Sequence, residues 1–247
     1  MTDQNAASGL SLTDVLDCNL LAARDPNHIF ASMAVDSKQP GIVTWLNRCN
    51  PEDYDYLVVA EERTDGRAVG LLCANDHATA AEEFLFVPAI FVTPAARKRR
   101  IMRRMLATAL LQAARRGPVP RVIAVRSCNP MTLSALRRFA QYVPGAILYP
   151  TIEETTVNLA TATLARRIAR AVSPTCHFDP ATGVLHGAVV AHGLLGCTTP
   201  QPAYHADIDD FFARRVGPMD QLLALVDLRH VDEATILDKA RQLHRRR

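Results

Sequence analysis

Between Phe84 and Ile152 the chain has no carboxylate. Those 69 residues carry 12 Lys and Arg side chains and not one Asp or Glu. Such a stretch cannot neutralise its own arginines locally, so it faces an acidic part of the same chain or an anionic partner. Residues 1–83, with 14 acidic and 5 basic side chains, can supply the first; residues 153–247 carry 11 of each. The net charge of +3 conceals this division. Long apolar runs are missing too. Phe84–Val92 and Ala188–Cys197 are about half the length that spans a bilayer, which argues against a membrane protein. No basic-then-apolar N-terminus reads as a secretory signal. The six Cys form no CxxC pair, so a reducing, cytoplasmic setting with mostly structural thiols is expected.

What is present is an ordinary globular mixture. The 247 residues are 49% apolar and 21% charged, enough for one large domain or two small ones. Thr13–Ala23 has helical spacing and is stopped by Asp25-Pro26-Asn27; His28–Ala34 and Ile42–Cys49 are short helix candidates. Tyr56–Glu62 and Ala68–Ala74 flank Thr64-Asp65-Gly66-Arg67 and predict a β-hairpin. Glu83–Val92 is a longer strand with Pro88 inside it, which predicts an edge, a bulge or a break in pairing.

Arg97–Arg116 reads as a helix whose apolar face is Ile101, Met105, Leu106, Ala109, Leu110 and Ala113. Arg121–Cys128 is a strand, and Asn129-Pro130 opens a helix to about Tyr142 with a good N-cap and a proline in the first turn. Ala146–Thr151, Val184–Val190 and Leu222–Leu228 are further strand candidates. Leu159–Val172, Asp209–Val216 and Asp232–His244 are helical. Helices that connect strands predict a mixed α/β sheet.

One segment concentrates chemistry. The strand ending Phe91-Val92-Thr93-Pro94 turns into a helix through Arg97, Lys98, Arg99 and Arg100. A helix N-terminus offers unpaired N–H groups and the positive end of the macrodipole, and it binds phosphates. Four cationic side chains add to that field, so a diphosphate is a natural guest.

This layout resembles the GNAT superfamily of acyl-CoA-dependent N-acyltransferases, over about Tyr56–Thr151. The resemblance rests on the Val92-Thr93-Pro94 strand end, the Arg97 turn, the Ile101/Met105/Leu106 helix and the strand–Asn129-Pro130–helix after it. It implies a GNAT-like, mostly antiparallel mixed sheet with a splayed parallel pair, flanked by helices. It also implies acetyl-CoA or another acyl-CoA as co-substrate. Phe91 and Val92 would offer backbone contacts to pantetheine, and Arg97, Lys98, Arg99, Arg100, Ile101 and Met102 would hold the pyrophosphate. Asn129 would sit near the pantetheine or the acceptor. A single domain over 1–247 is expected, with its recognisable core at about 56–152. Residues 153–220 would be an insertion, and 221–247 a late strand and C-terminal helix.

The departures are specific. The family turn is usually Arg/Gln-x-x-Gly-x-Gly/Ala, and here the fourth and sixth positions are Arg100 and Met102. A glycine allows close backbone approach to phosphate; an arginine offers bidentate bonds instead. Many members have a Tyr seven residues after the Asn, where this chain has Leu136. Glu83, beside Glu82 at the strand start, is the nearest candidate base. Tyr149 is the substitute acid, with Tyr142 behind it. Cys73 and Cys128 lie on apolar strands and read as buried thiols.

The expected partner is an amine acceptor, which the acidic N-terminal third suits if it is cationic; a homodimer is left open. Cys176, His177, His186, His192, Cys197 and His205 match no tight zinc spacing, and no metal is expected. Arg97–Arg104 holds six cations in eight residues, and Arg97, Arg100 and Arg104 on one helix face would suit nucleic acid, but no aromatics interleave. The sequence is also compatible with two alternatives to an enzyme. One is a degenerate, non-catalytic fold that binds CoA or a protein; the other is a nucleic-acid binder through residues 97–104.

Overall fold

The two Leu/Val-rich runs around Asp65-Gly66 form the first hairpin of the computed structural model, which describes residues 12–16, 33, 50–62, 64–79, 82–97, 99–152, 159–193, 202–203 and 205–245. Strands β2 (Tyr56–Glu62) and β3 (Ala68–Ala78) pair antiparallel, with Gly66 at φ 69° in the turn. Strand β4 (Glu83–Val92) pairs antiparallel with β3. On the other side β1 (Leu12–Leu16) pairs antiparallel with β2. The helix expected from Thr13 is therefore a strand up to Leu16. Helical spacing in a short segment is a weak preference, and pairing with a sheet edge overrides it. The helices expected over His28–Ala34 and Ile42–Cys49 lie outside the described residues, apart from Met33, which is buried.

The chain continues through α1 (Ile101–Arg116), β5 (Val122–Ser127), α2 (Pro130–Tyr142), β6 (Ile147–Tyr149), α3 (Leu159–Val172), β7 (His177–Asp179), β8 (Val184–His186), α4 (Ala188–Ala191), α5 (Ala206–Arg215), β9 (Gln221–Asp227) and α6 (Glu233–Arg245). Among the described residues the strand order is β1-β2-β3-β4-β5-β9-β8-β7, with β6 also on β9. The pair β4–β5 is parallel and the other ladders are antiparallel. The fold is thus a mixed, mostly antiparallel sheet with one parallel pair and flanking helices. The late strand β9 is buried along its whole length and lies directly beside β5.

Period-two alternation sorts the core into two layers. On one face Val58, Leu72, Leu85, Val87, Ile123 and Val125 pack with α1, α2 and α6. All six apolar residues expected on α1 are buried. Gly70 lets that helix settle on β3: a Cβ there would stand 3.0 Å from Ile101 Cγ2 and 3.2 Å from Met105 Cε. On the opposite face Phe84, Phe86, Val122, Ala124, Leu223 and Leu225 pack under Ala162, Ala165, Ile168 and Ala169 of α3. Farther along that face, Leu57, Val59, Leu71, Cys73 and Ala89 form a separate cluster with Tyr54 and Phe91.

Of the element boundaries that differ from expectation, two have plain local reasons. The Arg97–Arg116 helix begins only at Ile101, because Arg97 is extended and Arg100 is left-handed. The Val184–Val190 strand ends at His186, because Gly187 at φ 68° turns the chain into α4.

Candidate active site at the open end of the parallel pair

Strand β4 runs to Val92 and β5 to Ser127, yet their parallel ladder covers only Leu85↔Ile123, Phe86↔Ala124 and Val87↔Val125. On the β3 side the register passes from Asn75↔Phe86 to Cys73↔Ala89. Val87 and Pro88 together oppose Ala74, which is a β-bulge built around a residue with no N–H to donate. The extra residue keeps Phe84, Phe86, Ala89 and Phe91 on one face and Leu85, Val87, Ile90 and Val92 on the other. Beyond Val87 the two strands part. The disruption expected at Pro88 is present and falls where the parallel pair opens.

Phe91 and Val92, both half-buried, lie on the stretch of β4 past this opening. Thr93 is buried and its N–H donates to Val69 O at 3.0 Å, so the strand end is fixed before the chain turns. Pro94–Ala96 makes one tight helical turn, and Arg97 Nε donates to Val92 O at 3.4 Å. Arg99 Nη1 donates to Oε1 of the buried Glu62 at 2.7 Å and ties the turn to the end of β2. Arg100 is exposed and holds φ 65°, ψ 11° immediately before α1. Among the described residues no other non-glycine has positive φ. This is the backbone conformation a glycine adopts freely.

Helix α1 has no side-chain cap and no acidic residue in its first turn. Its leading N–H groups therefore face the turn with the positive end of the dipole. Ile101 is buried and Met102 half-buried beside them; Lys98 lies outside the described residues. The expected cationic stripe of Arg97, Arg100 and Arg104 on one helix face does not form. Two of the three precede the helix, and Arg104 is buried with Nη2 on His244 O at 3.4 Å.

Asn129 follows the other strand of the opened pair. Its Oδ1 accepts from Met131 N–H at 3.0 Å and caps α2 as expected, and its own N–H donates to Ser127 Oγ at 3.0 Å. Only the carboxamide NH2 remains for a ligand. The two acid–base candidates lie elsewhere. Glu83 is exposed at the first residue of β4, four residues upstream of Val87, or roughly 13 Å along the strand. Tyr149 is buried in the layer under α3 and donates its hydroxyl to Pro180 O at 2.8 Å. Burial pushes that phenol far above its ordinary range.

Sequence reasoning passed over Arg126, which occupies the first β5 position after the last parallel pair. Its Nη1 contacts His192 Nε2 at 2.7 Å, Ser173 Oγ at 3.1 Å and Val172 O at 3.4 Å. Its guanidinium lies over the Phe86 ring, 5.5 Å from the centroid. Burial lowers its pKa to about 10. The same burial, helped by Arg126, lowers His192 to about 4. Cys176 Sγ stands 4.0 Å from His192 Nε2. The one signal in the sequence was an arginine inside an otherwise apolar strand; His192 and Ser173 arrive from the C-terminal extension and share no spacing with it. Cys128 is mostly buried and its thiol is pushed up by desolvation. Among the described residues no three His, Cys, Asp or Glu side chains are grouped to hold a metal. Nor is any helix among them long and apolar enough to cross a membrane.

Residues 24–140 match the sequence pattern of the acetyltransferase (GNAT) family. That part of the chain is a GNAT domain. The splayed β4–β5 pair, the cationic turn and α1 all lie inside the matched GNAT segment, and the strands from β6 onward lie outside it. A bacterial toxin structure is similar at 10% identity and a TM-score of 0.36, over 44% of this chain and 72% of its own. A GCN5-related glucosamine N-acetyltransferase region in a fungal multi-domain GH3 β-N-acetylglucosaminidase is similar at 16% identity and a TM-score of 0.38. That match covers 57% of this chain and 18% of the fungal one. No curated protein matches.

Proposed function

We propose that the chain is an acyl-CoA-dependent N-acyltransferase that transfers acetyl from acetyl-CoA to a primary amine of a small molecule or protein. The observation that carries this reading is a coincidence on one strand. The parallel ladder opens after Val87, and the same strand ends in a cationic, left-handed turn that feeds the uncapped α1. An extended amide chain with a diphosphate at its end needs both features, in that order. Arg97, Lys98, Arg100 and the first amides of α1, including those of Ile101 and Met102, would hold the pyrophosphate, with Arg99 fixing the turn through Glu62. The backbone of Phe91 and Val92 would bond the pantetheine arm and polarise the thioester carbonyl. The Asn129 carboxamide NH2 would lie beside the arm at the end of β5.

Within this reading the amine nitrogen attacks the thioester carbon and the C–S bond breaks. CoA leaves as thiolate, and the surplus proton of the amine passes to water. Positioning supplies most of the acceleration. The remote Glu83 and the committed Tyr149 hydroxyl favour a second reading, a non-catalytic CoA-binding module. Calorimetric titration with acetyl-CoA and with CoA, followed by CoA-release assays over a panel of amines, separates the two. Micromolar binding with amine-dependent release supports the enzyme, and binding without release supports the module. No binding to either overturns both.

A further inference from the structure

We infer that the amine acceptor carries a carboxylate and that Arg126 receives it at the mouth of the opened β4–β5 pair. This rests on the acyl-transfer reading above and adds the substrate class. The three nitrogens of the guanidinium are not equally engaged. Nη1 is saturated by His192, Ser173 and Val172. Among the described residues nothing bonds the buried Nε, and none bonds Nη2. The edge left over is the Nε–Nη2 side, whose two parallel N–H groups match the two oxygens of a carboxylate.

The same chain shows that edge in use. Arg229 places Nε at 3.0 Å and Nη2 at 2.7 Å on the buried carboxylate of Asp227. Arg126 has the fork without the acid. Strands β4 and β5 after Glu83, helix α3 and the Val172–Cys176 turn contain no Asp or Glu in their sequences. Among the described residues Arg126 forms no salt bridge. Burial already weighs on the guanidinium, and the face of Phe86 compensates in part. An anion would complete the set.

Position selects the acceptor as the source of that anion. The cationic turn belongs to the layer of α1, while Arg126 lies over Phe86 on the opposite face, at the point where the strands part. A molecule held there by its acid group has its amine within reach of the gap. Tyr54 and Phe91, on the same face, would border its other side. The Nη1 contacts make His192 and Ser173 positioning residues that aim the fork.

The test uses the full chain and matched probes: glycine, β-alanine and 4-aminobutyrate, each against its carboxamide, with O-phosphoethanolamine as the phosphate alternative. With acetyl-CoA, at least one acid is expected to exceed its amide in kcat/KM by about 30-fold or more. Arg126→Gln should collapse that ratio through KM, with calorimetric CoA affinity unchanged; Arg126→Lys should recover part of it. An independent reading comes from the 15N resonance of Arg126 Nε–H in the wild-type chain without CoA, which should move on adding the preferred acid and stay with its amide. Equal use of acids and amides overturns the proposal, as does a preference for O-phosphoethanolamine. So does a resonance that no acid moves, or one that moves instead in Glu153→Gln or Glu154→Gln, since the fork would then hold a carboxylate of the chain itself. If CoA fails to bind while the resonance still responds to acids, the acyl-transfer reading falls and the carboxylate fork stands.

Discussion

Arg126 Nη1 and His192 Nε2 are 2.7 Å apart, and only one of them can accept. A guanidinium has no acceptor, so Nε2 takes the hydrogen bond and the imidazole is neutral with its proton on Nδ1. The folded pKa of about 4 agrees, its causes being desolvation first and Arg126 second.

That pairing predicts a pH dependence of stability. Between the ordinary value of 6.5 and the folded value of about 4, the unfolded chain binds a proton that the folded chain refuses. Stability therefore rises with pH across this window and is lost as pH falls through it. His192→Gln keeps an acceptor for Arg126 and removes the titration. Urea unfolding from pH 4.5 to 7.5 should show the variant less acid-sensitive than the wild type, with parallel behaviour above pH 7. Some acid sensitivity should remain, because His244 is also held below its ordinary pKa by burial and Arg104. Identical profiles for the two proteins would remove His192 from the account.

The Arg99–Glu62 pair predicts an asymmetric double-mutant result. The Glu62 side chain is 5% exposed and its Oε2 already lacks a partner among the described residues. Arg99→Met strands a buried carboxylate and should cost about 3 kcal/mol. Adding Glu62→Leu to Arg99→Met should return stability to within about 1 kcal/mol of the wild type. Equal losses in the single and double variants would mean that the pair is effectively solvated. Calorimetry on the double variant then separates a tether from a phosphate ligand, since CoA affinity recovers only if Arg99 acts as a tether.

The elements that could be read from sequence are those in which pattern and punctuation agree. Tyr56–Glu62, Glu83–Val92 and Leu159–Val172 stand where their apolar periods end. Pro88 announced the bulge because a missing N–H has few places in a ladder. Tertiary pairing was not legible. Leu12–Leu16 became a strand because β2 offered an edge. The start of α1 moved to Ile101 because Arg100 took a conformation that its residue type argues against. The cationic turn before α1 could be read from its charges, but the cluster around Arg126 could not. Its members are separated by 47 and 66 residues and meet only because α3 and α4 fold over β5.

Tyr149→Phe tests whether the candidate acid is structural. Its hydroxyl is spent on Pro180 O, and burial opposes ionisation of the phenol. Loss of that bond should cost about 1 kcal/mol in unfolding free energy. The rate of CoA release with the best amine should stay within about twofold, since a hydroxyl that never meets the leaving thiolate contributes no acid catalysis. A fall in kcat of about 100-fold with KM unchanged would instead place that hydroxyl at the reacting atoms.

Arg100→Gly separates the two contributions of one residue. The left-handed conformation at φ 65° costs a side-chain-bearing residue about 1 kcal/mol, and glycine relieves it at some expense in unfolded-state entropy. The variant should gain about 0.5 kcal/mol of stability in urea. It should also bind CoA less tightly, by up to about tenfold, because an exposed cation has left the turn while the cradle keeps its shape. Tighter binding would mean that the arginine side chain obstructs the phosphate and that its charge contributes little. A loss of stability would mean that the turn depends on the Arg100 side chain itself, and the comparison with a glycine at this position would then fail.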